Sequence, residues 1–321
     1  MNMKKIIHTY IVFLTVFFVC CLDAYSFASN NNSSDIVLNE YADITISAGY
    51  RTDTLDWNIS GYNNSPNILS ELEFKDIKIY QTALNIKSVF NCFIVNLYYN
   101  YGFITDGSGY DSDYHGDNRT ELFSKSTNTI ENKNVKDFSI AAGYQFLIKG
   151  SKFIITPVIG FSRHDQNISM TNGIQIVAAV GETPVERPFL GLDSTYESSW
   201  KSFWTGAELS FIINKNITLS ADYKYHFADY EAEADWNLRE DFNHPISFIH
   251  SADATGNESS FKIEYRFLKN WLMAAEYRYH NWSTKYGIDT IFFGSREQSS
   301  TRLNEVNWTS KSFNIIFGYE F

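Results

Sequence analysis

The sequence has 321 residues, a formal net charge of −11 at pH 7 and an aromatic content of 17%. A negative charge balance argues against nucleic acid as a partner, because phosphate backbones are bound by clusters of Lys and Arg. So many aromatic residues are unusual in a soluble domain and typical of outer-membrane β-barrels, which place Tyr and Trp at both lipid interfaces.

The chain opens with a predicted secretion signal. Lys4 and Lys5 give it a positive start, residues 11–19 give it an apolar core, and residues 26–28 end in the small residue expected before a cleavage site. The apolar run is short for a membrane-spanning helix. We therefore predict that residues 1–28 are removed by cleavage after Ala28.

An Asn/Ser-rich tail at residues 29–40 precedes one predicted barrel domain at residues 41–321. Long segments of alternating apolar and polar residues recur in this domain, without a helical period. Because successive strand residues face opposite sides of a sheet, each segment predicts a barrel strand. The segments give about ten antiparallel up-and-down strands, at roughly residues 42–59, 69–87, 89–105, 133–149, 151–171, 195–213, 216–235, 254–268, 271–288 and 304–321.

Several predicted strands exceed the roughly 9–11 residues that cross a bilayer, so we expect the barrel to extend above the membrane. Three connections are short and polar and are predicted to be periplasmic, namely residues 149–151, 214–216 and 268–270. Four are long and are predicted to be extracellular, namely about 104–134, 172–194, 236–257 and 289–303. Open porins need roughly 16 strands or more, so about ten strands are too few for a general diffusion pore.

The last strand has the pattern of a wall between lipid and water. Its odd positions from Phe313 to the C-terminal Phe321 are all apolar or aromatic, whereas its even positions include Asn314 and Glu320. A terminal aromatic residue resembles the signal that outer-membrane barrels present to their assembly machinery. We therefore expect a monomer in the outer membrane of a Gram-negative cell, in contact with lipid and lipopolysaccharide.

Two carboxylates follow the third predicted strand. In an extended chain, Asp111 and Asp113 would point to the same side. A close carboxylate pair can share a proton or activate a water molecule, although acid-rich loops are usually just solvated. An EF-hand calcium loop does not fit, because His115 stands at its third ligand position and no Glu at its twelfth. We predict neither a metal site nor a cofactor.

The seventh predicted strand ends in four acids that share one face. These are Asp229, Glu231, Glu233 and Asp235. By alternation this is also the face of the lipid-facing Phe227, so the acids face water above the bilayer unless a bulge near residues 227–228 turns them inward. The sequence leaves both directions open. His244 and His250 follow in the same predicted loop.

Several short stretches occur in one order along the chain. They are Ala42-Asp43-Ile44, Leu55-Asp56-Trp57, Tyr110-Asp111-Ser112-Asp113-Tyr114, Tyr196 to Gly206 and Tyr223-Lys224-Tyr225. In these stretches the chain resembles the omptin family of outer-membrane proteases. The resemblance implies a ten-stranded barrel, tall above the membrane, in which Asp111 and Asp113 face an Asp–His pair across an acidic cleft and peptides are cleaved next to basic residues. The stretch from Leu55 to Leu72 also resembles an omptin-like group described from chlamydia-related bacteria.

The chain departs from the omptin pattern at the top of the seventh strand. Omptins have Asp-x-His there, whereas this chain has Asp235-Trp236-Asn237. Asn cannot accept and return a proton near neutral pH as His can. His244, His250 or His115 could replace the missing base.

These features leave three candidate functions. We favour a surface protein of omptin-like fold that binds cationic peptides or host surface proteins without cleaving them, because the Asp pair is present and the His is not. The first alternative is an active endopeptidase that cleaves near basic residues with a relocated base. The second alternative is a narrow channel.

Overall fold

The computed structural model describes residues 40–178 and 187–321, which belong to one compact unit. The predicted secretion signal, the tail up to residue 39 and residues 179–186 lie outside the described residues. The strands are β1 (Tyr41–Ile59), β2 (Ser70–Phe90), β3 (Phe93–Gly116), β4 (Thr120–Ile130), β5 (Asn134–Tyr144), β6 (Phe146–Leu147), β7 (Phe153–Val177), β8 (Arg187–Pro188), β9 (Ser194–Ile212), β10 (Ile217–Asp235), β11 (Phe248–Phe267), β12 (Trp271–Thr284), β13 (Gly287–Phe292) and β14 (Gln298–Glu320). Two short 3-10 helices span Tyr62–Asn64 and Asp117–Arg119. Within the described ranges, no helix has the length and apolar character to cross a membrane.

The strands close into an antiparallel barrel with ten wall positions, which confirms the predicted fold. The order around the wall is β1, β2, β3, β4, β7, β9, β10, β11, β12 and β14, and β14 pairs back with β1. Strands β5 and β6 continue the β4 position toward the short turns, and β13 continues the β12 position toward the other end. We call the end away from the short turns the upper end.

A band of exposed apolar side chains covers the outside of the lower wall. Members from the ten wall positions are Ile46, Tyr80, Phe103, Ile140, Phe161, Leu209, Phe227, Ile263, Met273 and Ile315. On β14, Phe313 and Phe317 are each more than half exposed, whereas the intervening Asn314 is buried. The predicted lipid-facing pattern of the last strand is therefore confirmed.

The wall continues well above this band. Strand β7 has 25 residues and β3 has 24, against the roughly 9–11 that cross a bilayer. Outward positions directly above the band are polar or charged, among them Lys78, Lys136, Arg163, Lys201 and Lys311. The upper half of the barrel therefore has a water-facing outer surface.

Large parts of the predicted long loops at 104–134, 236–257 and 289–303 are strand instead. The region 104–134 forms the upper β3 and β4, joined at Asp117–Arg119, and β11 already begins at Phe248. At 104–134 the prediction was wrong because residues 106–109, which contain two glycines, have the composition of a turn. In the fold those glycines lie in the wall, where Gly109 leaves room for the side chain of Asn128.

Paired polar side chains fill the lower lumen. Arg51 donates hydrogen bonds to Asp53 at 2.6 Å and to Asp137 at 2.8 Å. On another part of the wall, Lys224 Nζ lies 2.7 Å from Glu258 Oε1. Burial of such charges is tolerable only because each has an opposite partner.

An apolar core fills the lumen above this polar network. The rings of Trp200, Trp282 and Trp308 lie with centroids 5.6 to 6.0 Å apart. Leu72 and Phe74 of β2 belong to the same fully buried cluster. The candidate site lies at the upper edge of this core.

Candidate functional site

The carboxylates of Asp111 and Asp113 face the barrel interior. Asp111 lies directly opposite Leu72 across the β2–β3 ladder, and Asp113 lies opposite Ser70. Directly opposed residues of an antiparallel pair share a face, and Leu72 belongs to the interior core. The two aspartates therefore share one inward face, and both are half-buried.

A β-bulge produces this orientation. The β2–β3 register shifts between Lys75 and Ile79, where Asp76 has a positive φ of 52°. On the facing strand Thr105 and Asp106 are both exposed in succession, which interrupts the alternation. Such a bulge re-aims every later side chain. Without it, the aspartate pair would face outward.

The pair lies in an environment that disfavours its ionised form. Burial and the neighbouring charge of Asp113 raise the pKa of Asp111 well above its usual range. Burial also raises the pKa of Asp113, although hydrogen bonds from Ser70 and Ser124 oppose the shift. Perturbed carboxylates in a concave site are candidates for binding or proton transfer.

Arg239 supplies a cation to this pair from the connection between β10 and β11. Its positive charge opposes the upward shifts in the pKa of Asp111 and of Asp113. Arg239 also binds Asp241 through two hydrogen bonds, of 3.0 Å from Nε and 2.9 Å from Nη2. Arg239 was not predicted as a site residue, because a single Arg within a polar loop gives no indication of the side that it faces.

The Asp–His contact forms on the opposite face of the wall. His244 Nδ1 lies 2.6 Å from Asp235 Oδ1. Along β10, Ala234 is buried and Glu233 is exposed, so the alternation gives Asp235 the outward direction. Thr195, which lies opposite Asp235 on β9, also faces outward by alternation. Asp235 and His244 are therefore brought together, but not on the face that carries Asp111 and Asp113.

Asn237 holds the neighbouring turn. Its Oδ1 accepts hydrogen bonds of 3.0 Å from the backbone N–H of Asp193 and from the hydroxyl of Ser194. Its Nδ2 donates a 2.8 Å hydrogen bond to the carbonyl of Gly191. The residue at the expected histidine position thus has a structural role that uses both ends of its amide.

Of the other two histidines, His250 lies in the buried interior, whereas the charge of His115, two residues after Asp113, lowers the pKa of that carboxyl. His250 is fully buried, with Nδ1 3.0 Å from the hydroxyl of Tyr196 and Nε2 3.3 Å from Asp289. His115 is exposed and stacks on Phe123 with ring centroids 3.9 Å apart. A ligand in water can reach His115 but not His250.

The remaining acids of β10 face outward. The register of β10 with both β9 and β11 is regular from residue 218 to residue 234, so no bulge turns Asp229, Glu231 or Glu233 inward. All three are exposed above the apolar band, and Glu231 pairs with Lys201 at 2.6 Å. Of the two directions that the sequence left open, the fold has the outward one. Within the described part of the chain, no group of three or more His, Cys, Asp or Glu residues is placed to hold a metal ion.

A family model and one solved structure agree with this architecture, and two further solved structures match it with lower TM-scores. The family described as Pom, Protochlamydia outer membrane protein, matches residues 45–321. Among solved structures, the outer membrane protease OmpT from Escherichia coli superposes with a TM-score of 0.70 at 12% identity, over 89% of this chain and 99% of that chain. The translocator domain of the autotransporter NalP from Neisseria meningitidis matches over 98% of both chains, with a TM-score of 0.35 and 10% identity. The attachment invasion locus protein Ail of Yersinia pestis matches over 87% of this chain and 99% of that chain, with a TM-score of 0.28 and 12% identity. Among curated protein sequences, none matches this chain.

Proposed function

The chain belongs to the Protochlamydia outer membrane protein family and is an omptin-like β-barrel of the outer membrane, and from this we propose that it is a surface protein that binds cationic segments of peptides or host proteins without cleaving them. The binding groups are the carboxylates of Asp111 and Asp113 inside the upper rim. Two close, partly desolvated carboxylates attract Lys or Arg side chains electrostatically, and the attraction weakens as salt is added.

One observation carries the choice of binding over cleavage. The side chains of Asp111 and Asp113 lie on the inward face of β3. Asp235, which contacts His244, lies on the outward face of β10. A general base must lie within hydrogen-bond reach of the proton that it abstracts, directly or through one water molecule. A histidine on the outer face does not meet this condition for a water held by the inner pair.

Hydrolysis is the second candidate function, and one contact favours it. His244 Nδ1 lies 2.6 Å from Asp235, so a carboxylate does orient an imidazole next to the expected position. A small rotation of the loop that follows β10 could bring this imidazole over the rim. In that case, cleavage next to basic residues would depend on His244.

A narrow channel has less support than either. The lower lumen holds the ion pairs of Arg51 and of Glu258, and the cluster of Trp200, Trp282 and Trp308 lies above them. Transport along the axis would require these side chains to move apart. Conductance of the purified protein in planar bilayers would favour the channel over our proposal.

Lipopolysaccharide is the lipid partner that we propose. Lys136, Arg163 and Lys201 lie on adjacent wall positions directly above the apolar band, and Arg163 stands directly opposite Lys201. Cations at this height match the anionic groups of an outer-leaflet lipid. Replacement of all three by Gln should weaken co-purification of lipopolysaccharide while leaving the barrel folded.

The binding proposal is tested with a fluorescent dibasic tetrapeptide and refolded barrel, by fluorescence polarisation at low salt. The double variant Asp111→Asn/Asp113→Asn should lose most of the affinity. The matched control is Glu231→Gln/Glu233→Gln, which removes the same formal charge from the outward face and should retain it. Equal losses in both variants would mean that binding depends on net charge alone, and would overturn the assignment of the site.

A further inference from the structure

We propose that the stacked rings of His115 and Phe123 form an aromatic platform beside Asp113, and that this platform makes the site prefer Arg over Lys in a cationic segment. The inference rests on the proposed binding function and names the side chain that the same site selects. It is carried by the direction of His115 on β3, by the stacking of the two rings and by the exposure of the imidazole.

The direction of His115 follows from its neighbours on β3. Tyr114 donates a 2.6 Å hydrogen bond to Glu71, which precedes the core residue Leu72 on β2 and therefore faces outward. Tyr114 thus faces outward as well, and His115 has the same inward direction as Asp113. Two residues along a strand advance by roughly 6.6 Å, so the imidazole stands one row of side chains above the carboxylate of Asp113.

A β-bulge on the adjacent strand brings Phe123 to this imidazole. The register of β3 with β4 shifts after Asp113, where Phe123 is the extra residue between Leu122 and Ser124. The rings of His115 and Phe123 are nearly parallel, with centroids 3.9 Å apart and an angle of 11° between their planes. Phe123 therefore covers one face of the imidazole. Because His115 is nonetheless exposed, its other face is open to a ligand.

This arrangement suits a guanidinium. The side chain of Arg is planar, so its flat face stacks on a ring while its N–H edge pairs with a carboxylate through two parallel hydrogen bonds. One guanidinium can therefore lie against His115 and donate to Asp113 at the same time. A Lys ammonium carries the same charge but has no flat face to stack. The platform thus discriminates between two side chains that long-range electrostatics treats alike.

The experiment compares two fluorescent tetrapeptides, one with two Arg residues and one with two Lys residues, by fluorescence polarisation with refolded barrel at pH 8 and low salt. The parent should bind the Arg peptide more tightly. His115→Ala should reduce this preference about fivefold, which is the size of effect typical of an exposed contact between a cation and a ring. Phe123→Leu should reduce it as well, because the imidazole loses the ring that holds it flat. Both variants should keep the parent affinity for the Lys peptide, and heat-modifiable gel migration checks that they fold.

Two further variants separate stacking from other roles of the imidazole. His115→Phe keeps a flat ring without a titratable nitrogen and should retain the preference for Arg. The matched control Tyr286→Leu removes an exposed ring that lies beside Arg302 on the outer surface, and it should leave both affinities unchanged. Bidentate pairing with Asp113 favours Arg in every variant, so the measured quantity is the share of the preference that is lost with the platform.

The outcomes separate this inference from the proposed function. Equal binding of the two peptides by the parent, or a preference that survives His115→Ala, would overturn the platform and leave the binding function standing. A loss of preference in His115→Phe would also overturn it, because the imidazole would then act through its nitrogens, and the same loss in Tyr286→Leu would show an effect that is not local to the site. If the parent binds neither peptide, the binding function itself fails, and the platform fails with it.

Discussion

His244 Nδ1 lies 2.6 Å from Asp235 Oδ1 on the outward side of β10, whereas Asp111 and Asp113 lie on the inward side of β3. The contact supplies an oriented imidazole, but the alternation of β10 directs it away from Asp111 and Asp113. Proximity along the chain and the correct residue types are therefore insufficient to form the omptin-like constellation here.

The first prediction concerns this contact. His244→Ala should leave peptide binding unchanged, because His244 does not face the aspartate pair. It should lower stability only slightly, since a partly exposed ion pair contributes about 0.2–1 kcal/mol. Polarisation titration and chemical unfolding measure the two effects, and a marked loss of peptide affinity would show that His244 belongs to the binding site.

The second prediction concerns Asn237. Asn237→His should not create cleavage, because the new ring would take the place of an amide that holds residues 191–194 from the outer side. Loss of its hydrogen bonds should cost roughly 1 kcal/mol and loosen the turn. Hydrogen exchange of the Asp193 amide should accelerate, and a fluorogenic dibasic substrate should stay intact. Turnover gained by this variant would instead place residue 237 in a catalytic position.

The third prediction links stability to pH. Burial raises the pKa of Asp111 in the folded barrel, so the folded state binds this proton more strongly than the unfolded state. The ionised group therefore costs stability at neutral pH, and this cost disappears as the pH falls through the raised pKa. Asp111→Asn should stabilise the barrel at neutral pH by on the order of 1 kcal/mol, with a smaller effect at acidic pH.

The matched control is Asp106, whose pKa is shifted in the opposite direction to that of Asp111. Asp106 lies on the same strand but faces outward, and its hydrogen bond from Lys78 lowers its pKa. Asp106→Asn should therefore bring no stabilisation at neutral pH. Urea unfolding of both variants at two pH values gives the comparison, and equal effects would contradict the assigned orientations.

The fourth prediction concerns the apolar band. Ile315→Lys places a charge in the lipid-facing part of β14 and should cost roughly 2–4 kcal/mol near the bilayer midplane. Thr309→Lys introduces the same side chain on the same face of the same strand, above the band, and should be tolerated. Heat-modifiable gel migration after refolding measures both, and normal assembly of Ile315→Lys would contradict the position of the band.

The fifth prediction concerns topology. With Cys92 replaced by Ala, a cysteine placed at Asn118 in the β3–β4 tip should react with an impermeant thiol reagent on intact cells. A cysteine placed at Ser151 in a short turn should not. The reason is that long extensions and short turns lie on opposite sides of such barrels. Labelling at Ser151 alone would reverse the orientation.

The sequence was sufficient to predict the barrel because lipid imposes a simple rule on every second residue. In β14 and β10, the outward-facing and inward-facing residues follow directly from alternation, and the structure has the same two groups of residues along both strands. The predicted loop at 104–134 was wrong where the rule was interrupted, because the glycines at residues 107 and 109 have the composition of a turn.

The candidate site was only partly predictable for a related reason. That Asp111 and Asp113 share a face follows from their spacing, but which face they share depends on one extra residue about five positions earlier. The effect of Arg239 on the pKa of the two carboxyls depends on how a loop crosses the rim, and the role of Asn237 depends on a turn more than forty residues away in sequence. Neither relationship leaves a periodic signal.

The most direct test of the central claim uses one quenched fluorogenic dibasic peptide with refolded barrel and lipopolysaccharide, followed in the same sample for binding by polarisation and for cleavage by release of fluorescence. We predict saturable binding with no release, and loss of the binding in Asp111→Asn/Asp113→Asn. Release of fluorescence that disappears in both the aspartate variant and His244→Ala would contradict the claim, because it would show that the two faces of the wall act together as a peptidase.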